Sequence, residues 1–474
     1  MGQSFFKFHI FVLAIFLNSF FNLSFSDEFD TVLNNFTEVG ISQESIGISI
    51  TKVPTVVYSL ERQNYGLNQD KLFNPASVMK LVTTMAAFDL FGKDYKFKTL
   101  FVTNGEIKRG VLEGDIFFIG GGDPKLVIED IEEIVIELKK KGLTTINGNW
   151  IVDDFLFSEP DIDPSNFDGK PFKPYNVGPN AAMVNFKATE INIEKINSKK
   201  KVQVELRPEL AGVKVTKKFI MVRGGCYRNK ISTTFKKSTL RIYGKLGKNC
   251  KKFSFFASLM SHQKFGFSVF KKAWERDGGK FNGSVLRGKA PKENKLLLKW
   301  TSKSLIDLIS DINKLSNNPM ARTLFLNLSA NSEEPASIKN SKIIIDNWFK
   351  SKEFDFSNMI IHNGAGLSRK VKMTTRDLTN LLVDALTHKD AYEWVNTLPI
   401  VGVEGTVSRR LVNRPVTGNA WLKTGSLKGV QAYGGYVKTI KNNWFAVSVF
   451  VNDRLAEKSK NAMDKVIEWI YLNK

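Results

Sequence analysis

Cysteine and histidine are scarce in this chain of 474 residues: two of the first, Cys226 and Cys250, and four of the second. Two thiols cannot build a disulfide scaffold or a four-cysteine zinc site. Four histidines fit poorly with a multi-histidine metal centre or a serine–histidine–aspartate triad. Beyond the N-terminus, no stretch approaches 18 uninterrupted apolar residues, which argues against a membrane-spanning helix there. There is no internal repeat. With Gly 34 and Pro 14 there is also no room for a long low-complexity linker. Hydrophobic residues at 42% and charged residues at 24% give a globular balance, so a disordered, collagen-like or coiled-coil chain is excluded. At roughly 150 residues per domain, the length implies two to four domains.

Positive charge is in excess: 69 Lys and Arg against 47 Asp and Glu, a net +22. Such a surplus can meet nucleic acid, lipid or cell-wall polymer. The plainer reading is a Lys-, Phe- and Ile-rich composition with solvated lysines. No helix-turn-helix, zinc-finger or RNP-like pattern supports nucleic acid, and none is expected as a partner.

Residues 1–26 contain no acid and one lysine, Lys7. An apolar run from Ile10 to Leu17 extends to Phe21. Ser24-Phe25-Ser26 then satisfies the small-x-small cleavage rule. We therefore expect a signal peptide at 1–26 and export to the periplasm. In an oxidising compartment Cys226 and Cys250 would either bridge, worth about 3 kcal/mol by loop-closure entropy, or remain two buried thiols. The sequence leaves both open.

Hydrophobic patterning predicts a strand over 45–60 and a helix over 75–91, with Pro75 in its first turn and Gly92 at its end. It predicts strands over 100–122, a helix over 127–142 and mostly strands over 190–257. Helices follow at 301–330, 341–350, 374–388 and 455–473, and three strands at 419–452. This order suggests α+β packing.

Three short motifs carry chemistry. In Ser77-Val78-Met79-Lys80 a hydroxyl and an amine three residues apart share a helix face. A serine is a poor nucleophile until a neighbour takes its proton, and an amine does so when burial or a nearby cation depresses its pKa. Ser198-Lys199-Lys200-Lys201 has the same spacing but reads as a solvated turn, whereas Ser77 lies among apolar Val78, Met79, Leu81 and Val82. In Ser316-Asn317-Asn318 a hydroxyl and a carboxamide two residues apart can project from one turn, to relay a proton and to orient an amide. Lys423-Thr424-Gly425-Ser426 opens the strand run at 419. A strand edge there offers backbone groups to an extended peptide. Gly425 permits close approach, Lys423 supplies a positive charge and Thr424 a hydroxyl for a carboxylate. In this order the three motifs resemble the S-x-x-K, S-D-N, K-T-G signature of β-lactamases and penicillin-binding proteins.

More of the chain resembles the class C low-molecular-mass penicillin-binding proteins, the D-alanyl-D-alanine carboxypeptidase/endopeptidases. The likeness covers Asn74–Lys80, Gly114-Asp115, Gly120–Pro124, Pro174–Val177, Asn313–Asn318, Gly364–Arg369, Leu398–Thr406 and Lys423–Gly429 with Gly434–Tyr436. Asn317, Asn363 and Glu404 stand where Asp is common, and Ala365 where Ser is common.

The resemblance implies an α+β catalytic domain of the serine β-lactamase/transpeptidase type, an antiparallel sheet flanked by helices, carrying a large, partly β-rich insertion. The expected division is catalytic residues 27–97 and 297–474 around an inserted region 98–296, with its β-rich part at about 188–263. The resemblance also implies an acyl-enzyme on Ser77, with Lys80, Ser316, Asn318 and Lys423 catalytic. Thr424, Gly425 and Ser426 would bind substrate, while Asp153, Arg369 and Lys428 would grip the peptide stem. No metal or cofactor is called for. Expected partners are peptidoglycan stem peptides and cross-links, β-lactams as covalent inhibitors, and peripheral contact with membrane or wall. A β-lactamase or esterase with the same centre, or a silent peptidoglycan-binding protein, are the alternatives.

Overall fold

The computed structural model describes residues 28–54, 64–158, 162–196, 201–330 and 334–474. The expected signal peptide, the end of the strand predicted over 45–60, and Ser198 to Lys200 of the lysine-rich turn lie outside the described residues. No helix among those described is long and apolar enough to cross a membrane.

One sheet is built from both ends of the chain. Its order is Ala420–Leu427, Val430–Lys438, Trp444–Asn452, Ile46–Lys52, Asn64–Leu67, and every neighbour is antiparallel. The sheet is covered on both faces, so Val430–Lys438, Trp444–Asn452 and Ile46–Lys52 are buried almost end to end. The period-two alternation decides which face each residue serves. Phe445, Val447, Val449 and Val451 join a core with Phe36, Val466, Ile467 and Ile470, from the helices at 28–37 and Lys460–Asn473. Ala446 and Phe450 point the other way, into a core with Val82, Ile309, Leu324 and Leu378. Those four come from the helices Lys80–Phe91, Leu305–Leu315, Asn318–Asn327 and Thr375–Ala385. The residues are small where this face meets the helices: a Cβ on Gly434 would lie 2.7 Å from Leu378 Cδ2 and 2.9 Å from Val78 Cγ1.

The chain leaves this domain after the helix Lys80–Phe91 and enters a second five-stranded sheet. Its order is Val285–Arg287, Trp150–Asp153, Ile116–Ile119, Lys98–Thr103, Lys295–Thr301. The strand Lys295–Thr301 pairs with Lys98–Thr103 over its whole length, so the join expected between 296 and 297 falls inside a strand. The helices Ile128–Lys140 and His262–Arg276 share a separate core with this sheet, where Trp150 packs 4.3 Å from Phe270 between ring centroids. Further out lie two three-stranded sheets. One is Lys201–Arg207, Thr189–Ile196, Lys252–Ala257, and the other Lys214–Val222, Thr239–Gly247, Ile231–Lys236. A Cys226–Cys250 disulfide ties the second to the start of the strand Lys252–Ala257, resolving the alternative the sequence left open.

Two local expectations change. The helix predicted over 75–91 begins as a 3-10 turn, Ala76–Met79, before the α-helix starts at Lys80. Ala76 has φ 46° and its N–H bonds the Asn74 side chain, which fixes an entry that an ordinary α-helical first turn does not have. The helix predicted over 301–330 is two helices, because Ser316 takes a left-handed conformation (φ 55°) and Asn317 caps the next helix through Met320 N–H.

Candidate active site

The 3-10 turn carries Ser77, and the first residue of the following α-helix is Lys80. Asn74 anchors the approach: its Nδ2 donates to Ser368 O, and its backbone exchanges two hydrogen bonds with the Asn452 side chain. The left-handed Ser316 closes the helix Leu305–Leu315. Asn318 opens the next helix, and Lys423 lies on the strand running beside the turn. These remote stretches meet at one place.

Lys80 is fully buried, and its Nζ has three partners: Ser77 Oγ at 2.9 Å, Asn318 Oδ1 at 2.6 Å and Ala365 O at 2.7 Å. Burial first, then the Lys423 and Arg322 charges, hold its pKa well below the ordinary lysine value. A neutral amine has two N–H donors and one lone pair. Asn318 Oδ1 and Ala365 O are carbonyl oxygens and can only accept, so they take both donors. The lone pair is left facing Ser77 Oγ, the arrangement a general base requires.

Lys423 is also fully buried, and its Nζ donates to Ser316 Oγ at 2.8 Å and Thr424 O at 2.9 Å. Burial lowers its pKa to about 7. The Lys423 charge is one of the causes that disfavour a proton on Lys80. Asn318 Nδ2 donates to Tyr175 O at 3.2 Å, which fixes the amide orientation that presents Oδ1 to Lys80.

The remaining expected residues are distributed unevenly. Gly425 is against the nucleophile turn: a Cβ there would lie 2.4 Å from Pro75 O and 3.1 Å from Ser77 N. Thr424 Oγ1 pairs with Thr406 Oγ1 at 2.9 Å, and Ser426 Oγ donates to Gln431 Oε1 at 2.7 Å. Arg369 and Lys428 meet through a 2.6 Å bond from Arg369 Nη1 to Lys428 O, which ties the 363–369 loop to the strand's hairpin. Asp153 is bonded to the backbone N–H of Phe155 and Ala290. Among the described residues no hydrogen bond links it to the Ser77 cluster.

The unusual residues have local reasons. Asn363 accepts from Ala365 N–H and donates to Leu367 O, shaping the loop that offers Ala365 O to Lys80. That contact uses the backbone, so an alanine serves. Glu404 pairs with Lys314 at 2.7 Å.

Sequence reasoning missed Arg322. It lies one helical turn beyond Asn318, is buried, and its Nη1 donates to Val177 O at 2.6 Å, while its Nε has no partner. Val177 directly follows the Pro174–Asn176 turn whose Tyr175 O holds Asn318. An arginine in the mostly apolar run Met320–Leu326 is the available signal. Its charge helps keep Lys80 neutral. Arg322→Met should therefore move the acid limb of the acylation pH profile upward, because Lys80 would hold its proton to higher pH. Thermal melting should hold or rise, since a buried cation without a carboxylate partner stabilises little. A pH profile that does not move would refute this role.

A model of the D-Ala-D-Ala carboxypeptidase 3 (S13) family matches residues 31–471. The chain belongs to that family. It is a serine-type peptidase of the D-Ala-D-Ala carboxypeptidase class. The D-alanyl-D-alanine carboxypeptidase DacB of Haemophilus influenzae is 28% identical over 391 residues, 80% of each chain. The crystal structure of penicillin binding protein 4 (dacB) from Haemophilus influenzae superposes with a TM-score of 0.75 at 23% identity, over 92% of this chain and 99% of that one. A second structure of that protein, complexed with a novel β-lactam, gives 0.72 at 22% identity, over 93% and 99%. The fold, including its insertion, is thus that of a penicillin-binding protein.

Proposed function

We propose that this carboxypeptidase cleaves the D-alanyl-D-alanine end of peptidoglycan stem peptides, and D-centred cross-links, through an acyl-enzyme on Ser77. The observation that carries this reading is buried Lys80 Nζ, held by Asn318 Oδ1 and Ala365 O at 2.9 Å from Ser77 Oγ. Ser77 Oγ attacks the scissile carbonyl carbon and gives its proton to Lys80 Nζ. The backbone N–H groups of Ser77 and Ser426 receive the carbonyl oxygen as it becomes an oxyanion. Ser316 Oγ passes a proton to the departing D-alanine nitrogen and takes in exchange the proton that Lys80 gained, so Lys80 is neutral again and Lys423 keeps its charge. The C–N bond breaks, leaving an ester on Ser77. Lys423 and Thr424 hold the terminal carboxylate of the substrate, and water then attacks the ester to release the shortened stem. A β-lactam has the same carboxylate and strained amide, enters the same way and stays as the acyl group. The disulfide supports work in an oxidising compartment such as the periplasm.

Penicillin treatment followed by intact-mass analysis and peptide mapping tests this. One penicillin mass should be gained, on the peptide bearing Ser77, and the untreated enzyme should release D-alanine from a pentapeptide. No adduct, or an adduct on another serine, would sink the reading.

A further inference from the structure

From Leu210 to Trp274 the chain carries sixteen Lys and Arg and no Asp or Glu. Much of the net charge is therefore gathered in one part of the insertion. Among the described residues, no cation from Lys214 to Lys251 forms an ion pair with a carboxylate, and pairing resumes only at Lys252, with Glu194. These lysines and arginines are nearly all exposed.

The register of the sheet Lys214–Val222, Thr239–Gly247, Ile231–Lys236 sorts its side chains. Leu240, Ile242 and Leu246 of the central strand are buried in the insertion's core. The residues between them, Arg241, Tyr243 and Lys245, face the other way and are exposed. Across the pairing they sit beside Thr216, Lys218 and Ile220 on one side, and Tyr243 and Arg241 beside Ser232 and Thr234 on the other. The result is a flat face with Lys218, Arg241 and Lys245 set around two apolar side chains, Ile220 at 60% exposure and Tyr243 at 44%.

Lysines on edge strands commonly serve to block strand-to-strand aggregation. That explains Lys214, Lys217 or Lys236, but not Arg241, which is paired on both sides, with Thr216 and Thr234. Two copies of such a face would repel each other. A soluble polyanion would engage the cations but has no use for Ile220 and Tyr243. A bilayer with anionic headgroups uses both, since cations meet the phosphates while aliphatic and tyrosine side chains enter the headgroup boundary. The geometry points to this sheet face as a docking surface for an anionic lipid membrane, holding the enzyme against the bilayer by its insertion while the Ser77 pocket, in a separate core, stays free. The inference does not rest on the acyl-enzyme chemistry.

Sedimentation with vesicles tests it, using wild-type protein and variants with the same N-terminus so that differences report on this face alone. The probes are vesicles of phosphatidylethanolamine with 30 mol% phosphatidylglycerol (roughly the anionic content that makes such contacts measurable) and vesicles of phosphatidylcholine alone. Each cation at a charged surface contributes about fivefold in partitioning. The triple variant Lys218→Gln, Arg241→Gln, Lys245→Gln should therefore bind the anionic vesicles about a hundredfold more weakly, and Ile220→Ser with Tyr243→Ser about tenfold more weakly. Wild-type binding should fall as salt rises. Both variants should keep wild-type penicillin acylation and melting, which shows that they fold. Equal binding of wild type to the two vesicle types, or no loss in the triple variant, overturns the proposal. Full binding by the Ile220→Ser, Tyr243→Ser variant, with soluble polyphosphate displacing the vesicles, would assign the face to a free polyanion and also overturn it.

Discussion

Lys80→Ala should acylate with penicillin about 10²–10⁴-fold more slowly than the wild type, the range that removing a positioned general base produces. The pH profile makes this specific. In the wild type Lys80 must be neutral to accept the serine proton, so the rate falls on the acid side as Lys80 becomes protonated. Burial first, then the Lys423 and Arg322 charges, hold Lys80 well below the ordinary lysine value. Lys423 must keep its proton to attract a carboxylate, so kcat/KM for carboxylate-bearing substrates falls on the alkaline side of about pH 7. Together these give a bell for kcat/KM, with limbs belonging to the free enzyme. Lys80→Ala should lose the acid limb and keep the alkaline one. A substrate without the terminal carboxylate should lose the alkaline limb on wild-type enzyme. A Lys80→Ala rate within tenfold of wild type, with both limbs intact, would assign the proton to another acceptor.

The sequence read well where chemistry and periodicity coincide. Ser77, Lys80, Ser316, Asn318 and Lys423 stand out because few residue types can activate a hydroxyl, and their spacing suits a helix start, a turn and a strand. The strands at 420–452 were legible because runs such as Phe445–Val451 are rich in β-branched and aromatic residues. The break at Ser316 had a signal that the helical reading of 301–330 overrode: Asn317 suits an N-cap and Pro319 the first turn of a new helix, and Lys423 donates to the hydroxyl of the left-handed Ser316 between the two helices. The helix His262–Arg276 was also passed over. Its buried Phe265, Val269, Phe270 and Trp274 keep helical spacing, but lysine pairs and aromatics in the preceding strands blur where the pattern changes. Contacts made by backbone leave almost no trace. Ala365 O and Tyr175 O, which orient Lys80 and Asn318, could belong to any residue. The same holds for Asp153, which accepts from the backbone N–H groups of Phe155 and Ala290.

Gly425→Ala should cost about 10²–10³-fold in kcat while the protein remains folded. The added methyl would start 2.4 Å from Pro75 O and 3.1 Å from Ser77 N, and the nearest obstacle is backbone, which cannot swing aside as a side chain can. The strand and the nucleophile turn must therefore part by several tenths of an ångström. Those two segments carry the proposed oxyanion donors, the N–H groups of Ser426 and Ser77, and losing one such donor typically costs this much. Ser426→Ala is the matching control. It removes only the hydroxyl bonded to Gln431 and leaves the backbone donor in place, so its kcat should stay within about tenfold of wild type. The split between the two variants is what locates the effect in the backbone. If Gly425→Ala turned over at the wild-type rate, the strand would have room to move and the oxyanion would have to be held elsewhere. A larger loss in Ser426→Ala than in Gly425→Ala would shift the role from the amide to the hydroxyl.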